Sequence, residues 1–217
     1  DIEYIIIDGL STDKTSLIIR KHKNIVDKYV SEPDEGIYDA FNKGIRIANG
    51  DLIGILNSDD IFSNSKIISE LVNKIVEDKT DSIYGDLDFV NQTNTNLIVR
   101  RWRSGKYNKK KFNFGWMPPH PTFFVKKEVF YRYGFYDLSF GSAADYELLV
   151  RFLYRFSITS TYLPKIVTKM RLGGISTNSL TNRLKAHAHD WNAWIKNDIS
   201  SFPIWVLLKP LRKLNQY

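Results

Sequence analysis

The stretch Asp51-Leu52-Ile53-Gly54-Ile55-Leu56-Asn57-Ser58-Asp59-Asp60 decides how this chain is read. Six of its first seven residues carry no charge, and aliphatic side chains bracket a glycine, so it reads as a buried strand of about five or six residues. That strand stops at two adjacent carboxylates. A strand that ends so delivers its acids to the carboxyl edge of a sheet, the edge at which open α/β folds bind ligands. Two hard oxygen ligands side by side suit a divalent cation such as Mg²⁺ or Mn²⁺, which completes its shell with phosphate oxygens and water. A solvated turn after a strand is the alternative reading of the same residues.

Upstream, Glu3 to Ile7 is aromatic or β-branched and reads as a strand covered on both faces, with Asp8 at its carboxyl end. Gly9 then turns the chain, and Ser11 and Thr12 are placed to cap a helix running on through Leu17 and Ile19. A carboxylate at a buried strand end is costly unless something hydrogen-bonds it, and a nucleobase N–H is one candidate partner for Asp8. A short strand at Ile25 to Val30 and a turn at Ser31 to Gly36 follow. Ile37, Ala40, Phe41, Gly44, Ile45 and Ala48 have helical spacing, and Asn49-Gly50 closes that helix. Its polar residues Tyr38, Asp39, Asn42 and Lys43 read as a solvated face.

Downstream, Ile67 to Val76 keeps helical period. Ser82 to Val90 reads as a strand with Asp86 and Asp88 alternating outward, and Leu97 to Arg103 as its hairpin partner. The alternation of strands and helices up to this hairpin argues a mostly parallel sheet, which turns antiparallel here. Lys106, Lys109, Lys110 and Lys111 stand in a loop-like segment. Trp116 to Pro121 holds three prolines within four residues, which removes donors and excludes regular structure. Thr122 to Val125 resumes as a strand, and Lys126 starts a helix that Gly134 ends.

Leu148, Leu149, Phe152 and Leu153 continue one apolar face, which places Asp145 in the first turn of a helix. An acid is favoured there by the helix dipole; the functional reading is a general base. Ile158 to Thr168 reads as a strand broken by Pro164, followed by a glycine turn from Arg171 to Ser176. Thr181 to Asn197 reads as a polar amphipathic helix on which His187 and His189, two apart, do not share a face, so they make no metal site by themselves. Phe202 to Leu214 mixes aliphatic, aromatic and basic residues and fits either a packed terminal helix or an interfacial membrane anchor.

Composition bounds the function. A chain of 217 residues, 43% hydrophobic, buries a real core and is read as one domain with a tail. It has no cysteine, which excludes a disulfide framework, thiolate catalysis and cysteine zinc sites. The net charge of +7 points to an anionic partner: nucleotide phosphate, acidic lipid or nucleic acid. No run reaches the roughly 18 apolar residues that span a bilayer. The chain opens on Asp1 and enters a strand at once, so it reads as a fragment lacking an upstream piece.

Three blocks, taken together, carry a resemblance: Asp8-Gly9-Leu10-Ser11-Thr12-Asp13, Asp34-Glu35-Gly36-Ile37-Tyr38-Asp39-Ala40-Phe41-Asn42-Lys43-Gly44, and Gly50-Asp51 through Asn57-Ser58-Asp59-Asp60. In order and spacing they resemble the family-2 glycosyltransferases, in the bacterial polysaccharide and colanic-acid-type branch. With the Ala144-Asp145 helix start and the Gly173-Gly174-Ile175-Ser176 turn, the resemblance covers about residues 1 to 180. It implies an α/β fold, a nucleotide-sugar-binding, Rossmann-like mixed sheet flanked by helices. Residues 1–180 would be the catalytic domain and 181–217 a helical tail.

The resemblance implies inverting, metal-dependent, non-processive transfer of a sugar from a nucleoside diphosphate sugar, a UDP-sugar, to a glycan or lipid-linked hydroxyl. Nucleic acid is not an implied partner, and the setting would be the cytoplasm, at the inner face of the plasma membrane if the tail anchors there. Asp8 would bond the base, with Gly9, Ser11, Asp39, Lys43 and Asp59 on the donor side. Asp60, with Asp59, would ligate Mn²⁺ or Mg²⁺, and Asp145 would be the base that deprotonates the acceptor. His120 and the Gly173-Gly174 turn would lie near donor or acceptor. Departures from the family pattern stand beside it. The family's first strand is missing, the metal motif lacks the leading acid of Asp-x-Asp, and Ala144 replaces a glutamate found in many relatives. No Gln-x-x-Arg-Trp segment follows Asp145, so a processive synthase is not expected. The rivals are a metal-dependent sugar nucleotidyltransferase and a basic module binding nucleic acid or lipid.

Overall fold

The computed structural model describes residues 1–173 and 191–199. In chain order the elements are β1 (Ile5–Asp8), α1 (Thr15–Lys21), β2 (Lys28–Ser31), α2 (Ile37–Ile47), β3 (Leu52–Gly54), β4 (Ile61–Phe62), α3 (Ile67–Asp78), β5 (Ser82–Val90), β6 (Ile98–Trp102), β7 (Phe124–Lys126), α4 (Lys127–Tyr133), α5 (Ala144–Leu149) and β8 (Ser160–Arg171). Short 3₁₀ turns at Lys109–Phe114 and His120–Thr122 occupy the lysine-rich and proline-rich segments. A π-helical stretch, Val150–Arg155, continues α5. Residues 191–196 are helical. His187, His189, the Gly174-Ile175-Ser176 part of the glycine turn and the segment from Phe202 to Leu214 lie outside the described residues. Among the described residues no helix is long and apolar enough to cross a membrane.

β1 and β2 pair in parallel from Ile5↔Lys28 to Asp8↔Ser31 as a two-stranded sheet of their own. A six-stranded sheet has the order β3-β7-β5-β8-β4, with β6 also on β5. Only β5 and β8 run parallel in it; β3–β7, β5–β6, β5–β7 and β4–β8 are antiparallel. The sheet is therefore mixed, and less parallel than the strand-helix alternation suggests, because late strands insert between the early ones.

Several expectations need correction. The stretch from Asp51 forms a strand of three residues at the sheet edge, and only Ile53 of it is buried. The centre belongs to β5, all nine residues of which are buried. For that reason Asp86 and Asp88 have no outward face to occupy. Asp86 accepts hydrogen bonds from the Ser104 N–H and the Tyr162 hydroxyl, each 2.8 Å, and Asp88 accepts from Arg103 at 2.8 Å. β1 is only half-buried over Ile5 to Ile7, and α1 buries none of its residues, so the first strand is not covered on both faces. Pro164 does not end β8: the ladder to β5 shifts register on both sides of Asp86, and the irregularity accommodates a residue with no N–H to donate.

Two apolar layers close the sheet. On one side Ile67, Leu71 and Ile75 of α3 meet Ile83, Phe124 and Val167. On the other, Phe130 of α4 and Leu148 and Phe152 of the α5 segment pack with Tyr84, Trp116 and Trp194. Trp194 also donates from Nε1 to the Tyr146 hydroxyl at 2.8 Å, so residues 191–199 are tied to the same body as α5.

The sheet defines one functional edge. β3 and β5 are both antiparallel to β7, so they point the same way, and β8 is parallel to β5. Glu3, just before β1, accepts from Asn49 at 2.6 Å and Gly50 at 3.3 Å, just before β3, so β1 and β3 start side by side. The ends of β1, β3, β5 and β8 thus gather on one side of the molecule.

Gly54 permits the β3–β7 contact that fixes this edge. A Cβ built there would stand 2.1 Å from Cε1 of the Phe124 ring. Gly54→Ala is expected to cost about 1–3 kcal/mol through overpacking, and Phe124→Leu should recover part of that loss. Denaturant melts of the two single variants and the double variant measure it; strictly additive effects would show that Phe124 is not the obstacle.

Candidate active site

Asp8 ends β1 and is almost fully buried. Its carboxylate accepts the Ser11 hydroxyl at 2.5 Å, the Ser11 N–H at 3.2 Å, the Tyr29 hydroxyl at 3.2 Å and the Ser31 hydroxyl at 2.7 Å. These bonds, that of the Ser11 hydroxyl first, hold the carboxyl below the usual range despite burial. Ser11 is therefore not the cap of α1. The helix begins at Thr15, later than a Ser11 or Thr12 cap would place it, and Asp13 accepts the Thr15 N–H at 2.9 Å instead. Gly9 belongs to the same turn: a Cβ on it would lie 2.3 Å from an Asp34 carboxylate oxygen.

Asp39 and Lys43, one turn apart on α2, secure the loop before that helix. Asp39 accepts the Glu35 N–H at 3.2 Å, while Lys43 donates to the Pro33 carbonyl at 2.6 Å and pairs with Glu32 and Asp39. Neither they nor their neighbours form the solvated face expected from the sequence. Asn42 is buried and exchanges two hydrogen bonds of 2.9 Å with the Tyr136 backbone. The Tyr38 ring stacks on Tyr136 at 5.5 Å, and Phe41 lies against both Tyr136 and His120. The tertiary contacts of α2 on its polar side override the helical wheel.

Asp145 is half-buried in the first turn of α5, as expected, and accepts the Tyr146 N–H at 2.7 Å. Its charge reaches Tyr38, Tyr136 and His120. Burial, and then the Asp145 charge, push both tyrosines up, so they stay protonated donors. His120 bonds the Tyr136 hydroxyl through Nε2 at 2.7 Å, and burial pushes it down to the neutral imidazole. It stands in the wall behind Asp145. Tyr38 stands in the first turn of α2, across the loop 32–36 from the end of β2 that pairs with Asp8.

Asp60 follows β3. A turn with an Asp60 N–H to Asn57 carbonyl bond of 3.1 Å, reinforced by Asn57 Nδ2 donating to Asp60 Oδ2 at 2.8 Å, presents the pair of acids. Asp59 is exposed, whereas Asp60 is 4% exposed and its Oδ1 has no hydrogen-bond partner. Burial pushes this carboxyl up to about 6, opposed by the Asn57 bond and by Arg171. An orphaned buried carboxylate oxygen beside an exposed carboxylate suits a cation that takes its other ligands from phosphate and water. Among the described residues no cluster of three acids, histidines or cysteines forms a complete metal cage. The residues present therefore fit a cation shared with a ligand.

The basic loop is used locally. Lys109 donates to Ser157 at 2.8 Å and lies 4.8 Å over the Tyr154 ring, and Lys111 donates to the Lys106 carbonyl at 2.9 Å. Sequence reasoning does not single out Tyr136, nor Arg171 as an individual residue. The signal available for the α2 network is Asn42, a poor helix former in mid-helix.

The model of the family described as glycosyl transferase family 2 matches residues 1–136. The chain belongs to this family. An uncharacterized glycosyltransferase of Mycobacterium tuberculosis, Rv1514c, is 32% identical over 158 residues, 69% of this chain and 56% of the relative. The PGL/p-HBAD biosynthesis glycosyltransferase of Mycobacterium bovis is 26% identical over 187 residues, covering 84% of this chain and 70% of its own length. The fold is that of S. aureus TarS 1-349, solved in complex with UDP-GlcNAc, with a TM-score of 0.69 at 16% identity over 89% of this chain and 57% of that one. The chain thus has the A-type fold, and it spans a little over half the length of the first of these relatives.

The Asp60 carboxyl gives a pH test. Its folded value, about 6, lies above the ordinary 3.8, so ionising it works against the fold. The wild-type chain should lose stability relative to Asp60→Asn as pH rises from about 4 to about 6, and the gap should be constant above that. Thermal melts of both without added metal, from pH 4 to 8, measure it; a gap independent of pH would show that Asp60 is not strained.

Proposed function

We propose that the chain transfers a sugar from a nucleoside diphosphate sugar, of the UDP class, to a hydroxyl acceptor in one inverting displacement. The observation that carries this is the buried Asp60 with an open oxygen beside the exposed Asp59, read together with Asp145 in the first turn of α5. A base at an acceptor hydroxyl and an acid pair at a diphosphate are the two functions that such a transfer needs. Asp60, with Asp59, would hold Mg²⁺ or Mn²⁺, which when bound offsets the charge growing on the leaving diphosphate.

Asp145 accepts the proton of the attacking hydroxyl. Its neighbours in the wall are unsuited to that role, since His120 is buried and already bonded, and Tyr38 and Tyr136 hold their protons. Tyr38, placed by its stack on Tyr136, orients the carboxylate. Asp8 and Ser11 shape the turn at the base end of the donor, and Asp39 and Lys43 hold the adjoining loop. The acceptor is a glycan or lipid-linked hydroxyl. The net charge of +7 and the PGL/p-HBAD biosynthesis role of the Mycobacterium bovis relative support that class.

Asp145→Asn should retain nucleotide binding and lose transfer by about 10²–10⁴-fold, whereas Asp60→Ala should lose metal-supported binding. Calorimetric titration with UDP and GDP, with and without Mn²⁺, and single-turnover product analysis separate the two. Normal transfer by Asp145→Asn would remove it from the base role. Release of pyrophosphate from a nucleoside triphosphate would instead identify a nucleotidyltransferase.

A further inference from the structure

Asn42 ties Tyr136 to α2; a second device ties it to the helix that carries Asp145. Just beyond Asp145, Glu147 is 2% exposed, and its carboxylate meets the guanidinium of Arg151 one turn further on. Arg151 donates from Nε to Oε1 and from Nη2 to Oε2 of that acid, each at 2.9 Å. The same guanidinium donates from Nη1 to the Tyr133 carbonyl at 2.5 Å and from Nη2 to the Phe135 carbonyl at 2.6 Å. Tyr133 is the last residue of α4 and Phe135 the one before Tyr136, where carbonyls have no intrahelical partners. Gly134 between them stands at φ +94°, and a Cβ on it would lie 2.7 Å from Arg151 Nη1, so the turn is shaped around the guanidinium. From the tail side, Asn197 donates to Glu147 Oε1 at 3.1 Å.

A buried ion pair returns little net stability, since desolvation of both charges offsets their attraction. What it supplies here is geometry. One planar fork that bonds a carboxylate on its own helix and two carbonyls on the incoming turn fixes distance and rotation together, which an ammonium with all its donors on one atom does not. The helix leaves α geometry at this place: Val150–Arg155 is π-helical, with the Phe156 N–H bonded to the Arg151 carbonyl at 2.9 Å, and π turns within helices cluster at functional sites. Tyr136 bonds His120 and stacks with Tyr38, and the charges of both Asp145 and Arg151 reach it. We propose that Glu147 and Arg151 are positioning residues for transfer: they lock the turn from Tyr133 to Tyr136 onto α5, so that the wall of Tyr38, Tyr136 and His120 keeps a fixed place relative to the Asp145 carboxylate. Both act through Tyr136. The assignment rests on the reading of Asp145 as the base, and goes beyond it by naming what holds that base and its wall together.

The test uses the full chain, its Arg151→Lys variant, and a double variant, Glu147→Leu with Arg151→Met, that replaces the pair by apolar groups of similar size. Each is melted, titrated calorimetrically with UDP and GDP in Mn²⁺, and assayed for single-turnover sugar release from a panel of UDP- and GDP-hexoses with water as the acceptor hydroxyl; Asp145→Asn runs in parallel. NMR of the ring nitrogens of His120, assigned with His120→Gln, reports on the wall without any turnover. Both pair variants should melt cooperatively, keep nucleotide affinity within about twofold, shift the His120 resonances, and lose turnover by about tenfold to a hundredfold. Turnover equal to wild type, unmoved His120 resonances or an equal loss of nucleotide affinity overturns the assignment, as does failure of both variants to fold, which marks the pair as structural only. If Asp145→Asn turns over normally, or the wild type releases no sugar, the base reading falls and takes this assignment with it; if Asp145→Asn is inactive while Arg151→Lys is fully active, only the pair is reassigned.

Discussion

The two hydrogen bonds that Asn42 exchanges with the Tyr136 backbone join parts of the chain 94 residues apart. On one side stands α2, which packs on β1; on the other, the segment between α4 and α5 that leads to Asp145. A side-chain amide that bonds both the N–H and the carbonyl of one residue fixes position and rotation together, and buried amides left without such partners are costly. The Tyr38–Tyr136 stack, the Phe41–His120 contact and the place of Asp145 all follow from that joint. The wall behind the candidate base is thus assembled from three sequence-distant pieces by a single amide.

Asp8 and Asp60 make a controlled comparison within one molecule. Both are aspartates at or just beyond a strand end, both are nearly buried, and both lie on the same edge. Asp8 receives hydroxyls from Ser11, Tyr29 and Ser31, and its carboxyl is pulled down. Asp60 receives one amide from Asn57, keeps an oxygen open, and is pushed up. The difference lies in the number of donors supplied and in the heavier desolvation of Asp60, which is the first cause of its rise. Groups whose local demands the fold leaves unmet are where function is expected, because a structure selected for stability alone would satisfy them.

Much of this is legible in the sequence. Paired acids after an apolar run, a glycine-bearing turn after Asp8, and an acid in the first turn before Leu148 and Leu149 all correspond to features of the fold. What is not legible depends on pairing across distance. Nothing local shows that β7 and β5 come between β3 and β8, so the run at Asp51 reads as central when it is an edge. Asp86 and Asp88 alternate like an amphipathic strand, yet partners from Ser104, Tyr162 and Arg103 let both faces be buried. Tyr38 and Asn42 look like a wet helix face until Tyr136 is placed against them.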